Sequence, residues 1–253
     1  MSPRGFYTLF AKEVWRFLKV AIQTIFTPVV TAVLYLMVFS QVLQDRVQVY
    51  AGVSYLAFLV PGLIMMSIIQ NAFANSSSSL IQSKMNGSLL FMLLAPLSNA
   101  EFYIAYTAAA VVRGLMVGGV LYLISLPFVV LPLAHPGVLV GFAVLGSAVL
   151  GAMGILAGVW ADKYDQLSAF QNFFILPLSF LSGVFYSIHS LPPFWRAVSH
   201  LNPFFYMIDG FRYGFFGASD VDPRLSLWVT GMFFALISAI CLFLLHKGYK
   251  LRG

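Results

Sequence analysis

Long apolar stretches, separated by short polar or proline-containing segments, dominate this sequence. Six of them are predicted to span a membrane, because about 20 consecutive apolar residues cross the hydrocarbon core of a bilayer. Near the amino terminus, charged residues interrupt apolar ones at helical spacing, which predicts an amphipathic helix in the headgroup plane rather than a signal peptide. The predicted interface helix covers about residues 5–19, and the predicted spans cover about residues 21–42, 53–74, 103–130, 137–160, 167–186 and 225–245.

Two further stretches are apolar but too short or too broken to be straight spans. The connector between the second and third spans contains an apolar patch bracketed by Gly87 and Pro96, which predicts a short helix at about residues 88–95. The segment at about residues 190–217 is interrupted by prolines. Because proline breaks helical hydrogen bonding, and broken helices lie at membrane depth only where their backbone groups are satisfied, we expect a pair of short half-inserted helices there.

Composition places the chain among membrane proteins. Of its 253 residues, 60% are hydrophobic and only 9% are charged, whereas soluble domains carry about 25% charged residues. We therefore expect one all-α membrane domain over residues 1–253, without a separate soluble domain. The single cysteine, Cys241, excludes a disulfide within the chain. The net charge of +6 is better explained by cationic loops at a membrane than by nucleic-acid binding.

Lysine and arginine are distributed unevenly between the two sides of the predicted membrane. With the amino terminus taken as cytoplasmic, most of them fall on that side, so both termini are predicted to be cytoplasmic. The cytoplasmic set is Arg4, Lys12, Arg16, Lys19, Lys84, Lys163, Lys247, Lys250 and Arg252, and the opposite set is Arg46, Arg196, Arg212 and Arg224.

The order of these parts resembles that of permease subunits of ABC-2 type transporters. Three local strings strengthen the resemblance: Phe58-Leu-Val-Pro-Gly-Leu-Ile-Met-Met66, Leu191-Pro-Pro-Phe-Trp195, and Leu201-Asn-Pro followed by Tyr206 and Phe211-Arg-Tyr-Gly-Phe-Phe-Gly217. They look most like the YadH and NodJ branch of bacterial inner-membrane permeases, with the architecture of type V ABC exporters. The resemblance implies a homodimer of permeases, with a seam along spans one and five, bound to two copies of a separate ATPase.

The energy source is predicted to be another chain. The dipeptide Gly-Lys does not occur, so the sequence has no P-loop, and ATP and Mg²⁺ would be bound by the partner ATPase. The short helix at 88–95 is the expected contact with the ATPase, since its apolar patch is costly to leave in water; in such permeases it would be the coupling helix. The alternative for this helix is that it lies among the lipid headgroups without a partner. Asp162 and Asp165 are a second possible contact, and the alternative for them is a solvated turn. The predicted coupling residues are Ser88, Leu89, Leu90, Phe91, Met92, Leu93, Leu94, Asp162 and Asp165.

Arg113 lies inside the third predicted span. A cation in hydrocarbon usually pairs or faces a wet cavity, and an antiparallel hairpin brings Arg113 level with Gln70 and Asn71, its predicted partners. This favours a polar patch that docks an anionic headgroup, the alternative being an Arg113 that snorkels to the interface. Methionine and aromatic walls suit lipid-like or drug-like cargo, although they also suit bulk lipid. The pathway candidates are Met65, Met66, Gln70, Asn71, Arg113, Phe170, Phe173, Phe174 and Phe180.

Asp209 and Arg212 are three residues apart, so on a helix they share a face and could neutralise each other. The family resemblance adds a lid over the outward end of the pathway, with Pro192, Trp195, Tyr206, Asp209, Arg212 and Tyr213 as the outer gate. The histidines are dispersed, and neither a metal site nor a catalytic group is predicted.

Small residues at four-residue spacing in the third and fourth spans predict close helix packing within the chain. They are Gly114, Gly118, Gly137, Gly141, Ser147, Gly151, Gly154 and Gly158.

The sequence thus predicts the permease subunit of an ABC exporter for an amphipathic substrate, lipid-linked, saccharide or drug-like, in the bacterial inner membrane. It is not expected to be an enzyme by itself. An ion-coupled carrier or a membrane-embedded enzyme is the alternative, disfavoured because proton coupling calls for acidic groups inside spans, and none of the 8 acidic residues is placed mid-span.

Overall fold

The computed structural model describes residues 3–43 and 53–250, and helices form its regular secondary structure in these ranges. Arg46 and Arg252, which contribute to the predicted orientation, lie outside the described residues. A π turn (Gln171–Ile175) joins α7 to α8, and a 3-10 turn (Ile188–Ser190) precedes α9. The helices are α1 (Pro3–Leu18), α2 (Ala21–Leu43), α3 (Tyr55–Met85), α4 (Ser88–Leu94), α5 (Asn99–Ser125), α6 (Pro136–Trp160), α7 (Tyr164–Phe170), α8 (Leu176–Phe180), α9 (Pro193–His200), α10 (Pro203–Phe216) and α11 (Pro223–Lys247).

Helix α3 is the centre of the bundle. It is apolar on all sides over most of its length, which is typical of a helix surrounded by protein, and 83% of its apolar window is buried. Helices α5 and α6 pack along it, and α2 and α10 cover its remaining sides. At its start the Ser54 hydroxyl accepts a hydrogen bond from the Ala57 amide, 3.2 Å away.

Small residues let α6 approach α3 closely. A Cβ atom on Gly154 would lie 2.5 Å from the backbone oxygen of Phe73, and one on Gly158 would lie 2.7 Å from an α3 side chain. Close backbone approach drives helix association where lipid replaces water. The predicted packing is confirmed for these two glycines. For Gly137 and Gly141 it is wrong, because an added Cβ would meet nothing within 4 Å; both line an open groove beside α11.

Within the described residues, five helices are long and apolar enough to span a membrane, namely α2, α3, α5, α6 and α11. The sequence predicted six such spans. The one predicted at 167–186 is instead a broken helical run, α7, the π turn and α8, which ends at Phe180. Pro177 has no amide hydrogen for the helical ladder. The turn before it widens, so that the Leu176 amide bonds to the Gln171 carbonyl.

Two other helices differ in length from the predicted spans. The sequence predicts that this helix projects past its membrane interface near residue 74, and α3 does continue to Met85, with the Ser79 hydroxyl of this extension bonded to Glu13 of α1. α5 ends at Ser125 rather than at residue 130. Pro127 has no amide hydrogen to donate to the helical ladder, and the chain continues as a turn in which the Phe128 amide donates to the Ser125 carbonyl at 3.0 Å.

The bundle has two ends, which we name the α4 end and the α10 end after the helices they carry. At the α4 end the Lys84 ammonium donates to the Ala161 carbonyl at 2.9 Å and lies 3.8 Å from the Asp162 carboxylate. Lys250 lies 2.7 Å from the same carboxylate, and its hydrogen bond is the main reason why the pKa of Asp162 lies below its usual value. These contacts tie the end of α3 to the residues that follow α6 and α11.

Candidate functional site

A cavity of about 520 Å³ lies between α1, α2, α3, α5 and the π turn. Cationic groups among apolar helices cost free energy and usually mark a functional site. This cavity is therefore the candidate site. Its lining is polar on some sides and apolar on others. The polar residues are Arg16, Gln23, Thr24, Thr27, Thr31, Ser67, Gln70, Asn71, Ser78, Arg113 and Gln171, and the others are Val20, Pro28, Ala32, Tyr35, Leu63, Met66 and Ala74.

Arg113 of α5 and Asn71 of α3 meet at the wall of this cavity. The Arg113 Nη2 atom donates to Asn71 Oδ1 at 3.2 Å, and Asn71 Nδ2 donates to the Ser67 carbonyl at 3.0 Å. The second bond orients the Asn71 amide so that its oxygen, and not its nitrogen, faces the guanidinium. The pairing expected from an antiparallel hairpin is therefore confirmed for Asn71. Arg113 Nε is buried and has no hydrogen-bond partner among the described residues.

The second arginine of the cavity holds α1 against α3. Arg16 Nη2 donates to the Asn75 carbonyl at 2.7 Å, and Arg16 Nε lies 3.2 Å from the Glu13 carboxylate. Glu13 is fully buried and also accepts hydrogen bonds from the Ser79 hydroxyl at 2.8 Å and pairs with Lys12 at 3.0 Å. Helix α1 thus docks on the serine-rich part of α3, whereas its amphipathic pattern predicted only a position in the headgroup plane.

Replacing Glu13 by glutamine is expected to loosen α1 from α3. The amide keeps the size of the carboxylate but removes the counter-ion that Arg16 and Lys12 share, so the partly buried Arg16 loses its acidic partner. We expect hydrogen exchange in α1 to accelerate about tenfold or more, measured by mass spectrometry in detergent micelles. Lys12→Met is the matched control, since a half-exposed ion pair contributes about 1 kcal/mol or less. Equal exchange rates in the two variants would contradict the anchoring role of Glu13.

The predicted pathway residues of α3 and α5 lie mostly at the cavity. Met65 is the exception, because it is fully buried in the core. Successive side chains on a helix point about 100° apart, so Met65 and Met66 face different surroundings. The predicted residues that line the cavity are Met66, Gln70, Asn71 and Arg113.

The predicted pathway phenylalanines belong to the broken helical run. Phe170 stacks on Phe73 of α3, with ring centroids 5.8 Å apart. Phe173, Phe174 and Phe180 are exposed on the surface of the described chain and do not line the cavity. The residue of this run that does line it, Gln171, was not predicted.

The predicted coupling residues Ser88–Leu94 form α4, at the α4 end of the bundle. Gly87 turns the chain out of α3 with a φ of 68°, a left-handed conformation that favours glycine. One side of α4 buries Leu89, whereas its other side is apolar and exposed, with Phe91 at 74%. Large exposed apolar patches mark contacts with lipid or protein. The exposed members are Leu90, Phe91 and Leu94; the Leu93 side chain lies outside the described residues.

Two side chains from other helices bind α4 at Met92. The Lys12 ammonium of α1 lies 3.5 Å from the Met92 sulfur, and the Tyr106 hydroxyl of α5 lies 3.8 Å from it. Of the other two predicted contacts, Asp165 lies in the first turn of α7 and is exposed, and Asp162 binds Lys84 and Lys250 as described above. Helix α4 is thus connected to the two helices that carry Arg16 and Arg113.

At the α10 end, Asp209 does not pair with Arg212, contrary to the prediction from their spacing. No ion pair joins the Asp209 and Arg212 side chains in the described part of the chain. Asp209 is fully buried and accepts hydrogen bonds from the backbone amides of Asp220 at 2.8 Å and Val221 at 3.2 Å. The aspartate therefore fixes the loop that follows α10.

Arg212 is buried as well, at 1% exposure, and fixes a different loop. Its Nη2 atom donates to the Gly183 carbonyl at 3.0 Å, and its guanidinium lies 3.7 Å from the centre of the Phe58 ring. Arg212 thus joins α10 to the start of α3 and to the loop that follows α8.

The remaining predicted gate residues divide into exposed and packed side chains. Pro192 and Trp195 are exposed. The Tyr206 hydroxyl donates to the His200 carbonyl at 2.9 Å, and Tyr213 stacks on His135 with ring centroids 4.9 Å apart. The six predicted gate residues are therefore not one cluster in the described structure.

The charged side chains of Glu13 and Arg16 and the amide of Gln171 are among the groups at or beside the cavity that were not predicted as site residues. Glu13 and Arg16 belong to the polar face of an amphipathic helix, where charged residues usually meet water or headgroups. The serine-rich part of α3 was the available signal, because a helix with that many hydroxyl groups near a membrane interface needs polar partners. Pro177 was a signal for the irregular turn that holds Gln171.

Comparisons with known proteins extend over nearly the whole chain. Residues 4–216 match the family described as ABC-2 type transporter. The chain is 41% identical to the inner membrane transport permease YadH of Escherichia coli (strain K12) over 247 residues, 97% of this chain and 96% of that protein. The YadH permease of Shigella flexneri gives the same identity and coverage. Nodulation protein J of Sinorhizobium fredii is 23% identical over 164 residues, 64% of this chain and 62% of that protein.

Proposed function

The chain belongs to the ABC-2 type transporter family and is a membrane transport permease, and from this premise we propose that it is the membrane subunit of an ATP-binding cassette exporter. Two copies of the chain form the pathway, and two copies of a separate ATPase bind ATP and Mg²⁺. The complex lies in the inner membrane with the α4 end in the cytoplasm. It moves an amphipathic substrate, such as a lipid-linked saccharide, a glycolipid or a drug-like molecule, outward.

The cavity between α1, α2, α3 and α5 is the observation that supports this proposal most. Its polar groups include Arg113 and Gln70, and its apolar wall includes Leu63 and Met66. A lining of both kinds suits a molecule with a polar head and an apolar body. In the proposed orientation the cavity lies in the cytoplasmic half of the permease, where an exported substrate enters.

Helix α4 is suited to transmit movement of the ATPase to this cavity. Its exposed apolar side is free to dock on a partner, and its opposite side contacts Lys12 and Tyr106 through Met92. These two residues belong to α1 and α5, the helices of Arg16 and Arg113. A push on α4 during ATP-driven closure therefore reaches both arginines.

The second copy is expected along α2 and the broken helical run. Only 17% of the apolar window of α2 is buried within the chain. Phe173 and Phe174 of the broken helical run are also exposed. In the proposed homodimer these apolar surfaces meet the other permease, and the cavities of the two copies face a shared pathway.

Replacing Phe91 by aspartate is expected to release the ATPase. The side chain is exposed, so the change leaves the permease fold intact, but it places a charge in an apolar contact, where a single buried anchor contributes about 2 kcal/mol or more. After co-expression with a candidate ABC ATPase of the same genome, the amount of co-purified ATPase should fall about tenfold or more.

The matched control is Val130→Asp. Val130 is also exposed in the described chain, at 88% against 74% for Phe91, but lies after α5 at the opposite end of the bundle. Co-purification and ATPase activity should be unchanged in this variant. Loss of the ATPase from both variants would indicate general instability, and retention in the Phe91 variant would exclude α4 as the docking helix.

A further inference from the structure

Arg113 is a partly buried cation that has no ion pair in the described structure. We infer that the corner of the cavity formed by Arg113 and Asn71 binds the phosphate group of an anionic amphiphile. The inference rests on the proposed transport function and names the class of its substrate.

The charges around the cavity favour an anionic ligand. Arg16 shares the carboxylate of Glu13 with Lys12, so that acid is already bound by two cations. None of the described residues that line the cavity is acidic. A desolvated guanidinium without a counter-ion is unfavourable in a membrane, and an anionic ligand removes that cost.

The hydrogen-bond donors at this corner suit a phosphate group. Asn71 Oδ1 takes one Arg113 Nη2 bond, and Arg113 Nε is unsatisfied among the described residues. A guanidinium presents further N–H groups in a planar fork, which matches two oxygens of one phosphate. Gln70 and Gln171 line the same cavity, and each carries an amide that can donate to a third oxygen.

The rest of the cavity has room for the apolar part of the ligand. Its volume of about 520 Å³ lies within the usual range of small-molecule sites, roughly 300–1,000 Å³. Pro28, Ala32, Leu63 and Met66 form an apolar wall on α2 and α3. The α2 side of this wall belongs to the helix that faces the second copy in the proposed dimer, so the hydrocarbon chains of the ligand would lie in the shared pathway.

Three probes separate the parts of this ligand. They are dioctanoyl phosphatidic acid, which has phosphate and acyl chains, dioctanoylglycerol, which has the chains alone, and glycerol 3-phosphate, which has the phosphate alone. Each is titrated into the purified full-length permease in a neutral detergent, and binding is followed by the rise in Tm, since a ligand that binds only the folded state stabilises it. The phosphatidic acid should bind about tenfold or more tightly than either fragment.

The protein variants test the role of Arg113 directly. Arg113→Gln should weaken phosphatidic acid binding about tenfold or more, and Arg113→Lys, which keeps the charge but not the fork, should lie between this variant and the native chain. Arg224→Gln is the matched control, because Arg224 is exposed and lines a different groove. The Tm without ligand reports whether each variant is folded. If Arg113→Gln is not folded, Arg113→Lys is compared with the native chain in its place.

Each outcome decides the inference. Equal binding to the native chain and Arg113→Gln, or equal binding of dioctanoylglycerol, would overturn the phosphate site, and equal binding of glycerol 3-phosphate would replace it with a free-phosphate site. The proposed function is tested separately by co-purification with the ATPase. A permease that assembles with its ATPase but shows no Arg113-dependent binding would support the proposed function and overturn the substrate class. A permease that shows this binding but does not assemble with an ATPase would support the phosphate site and overturn the proposed function.

Discussion

Replacing Gly154 by alanine is expected to disrupt the contact between α3 and α6. The added Cβ would lie 2.5 Å from the Phe73 backbone oxygen and 3.1 Å from the Ser77 amide nitrogen, and a backbone cannot yield as a flexible side chain can. The two central helices must therefore separate. Alanine gains about 1 kcal/mol in helix propensity over glycine, whereas forced overpacking costs about 3 kcal/mol or more at such a site. The cost of overpacking is larger than the gain in helix propensity, so the variant should be less stable than the native chain.

The comparison variant is Gly141→Ala in the same helix. An added Cβ meets nothing within 4 Å at that position, so only the gain in helix propensity remains, and the variant should be as stable as the native chain or slightly more stable. Tm is measured from the fraction of monodisperse protein after heating in detergent. A net loss of about 2 kcal/mol in Gly154→Ala corresponds to a decrease of roughly 4–8 °C. Equal Tm values in the two variants would contradict the close packing of α3 and α6.

Local geometry explains which contacts could be predicted from the sequence. The bond between Arg113 and Asn71 joins two helices connected by a short segment, so the level at which they meet follows from counting residues on either side. The exposed apolar side of α4 was predicted for the same reason, because Gly87 and Pro96 bound a helix too short to cross a bilayer.

Contacts between distant segments could not be predicted in this way. Asp209 and Arg212 share a helix, and their spacing suggested an ion pair, but Asp209 binds amides of the loop that follows α10, and Arg212 binds a carbonyl of the loop that follows α8. Buried loop amides and carbonyls need hydrogen-bond partners, and this need prevailed over local pairing. Nor does apolar character show which side of a helix meets protein, since lipid is equally apolar; Gly137 and Gly141 were therefore assigned to packing although they are exposed.

Arg212 connects two of the three sequence strings that carry the family resemblance. Phe58 and Gly62 belong to the first string and Arg212 to the third. The guanidinium lies over the Phe58 ring, and a Cβ on Gly62 would lie 3.1 Å from Arg212 Nη2 and 2.9 Å from the Val184 carbonyl. The glycine thus leaves space for the arginine and for the loop that it binds. An exposed gate residue would not need such a fitted site, which favours Arg212 as an anchor of the outer loops.

Replacing Arg212 by methionine is therefore expected to destabilise the α10 end strongly. Methionine keeps part of the apolar volume but leaves the Gly183 carbonyl unsatisfied, which costs about 1–3 kcal/mol for a buried polar group, and removes a desolvated cation–π contact that contributes about 2 kcal/mol. Hydrogen exchange should increase about a hundredfold at residues 183–188 and in α10, as measured by mass spectrometry, because a loss of about 3 kcal/mol changes an opening equilibrium by that factor.

Arg196→Met is the control for this change. Arg196 also donates to loop carbonyls, those of Ile188 at 3.2 Å and His189 at 2.8 Å, but it is only partly buried, so water can replace the lost bonds at a net cost of about 1 kcal/mol. Its effect should stay below about tenfold in exchange. If both variants gave the same small increase, Arg212 would be a replaceable side chain, and the two family strings would be held together by apolar packing alone.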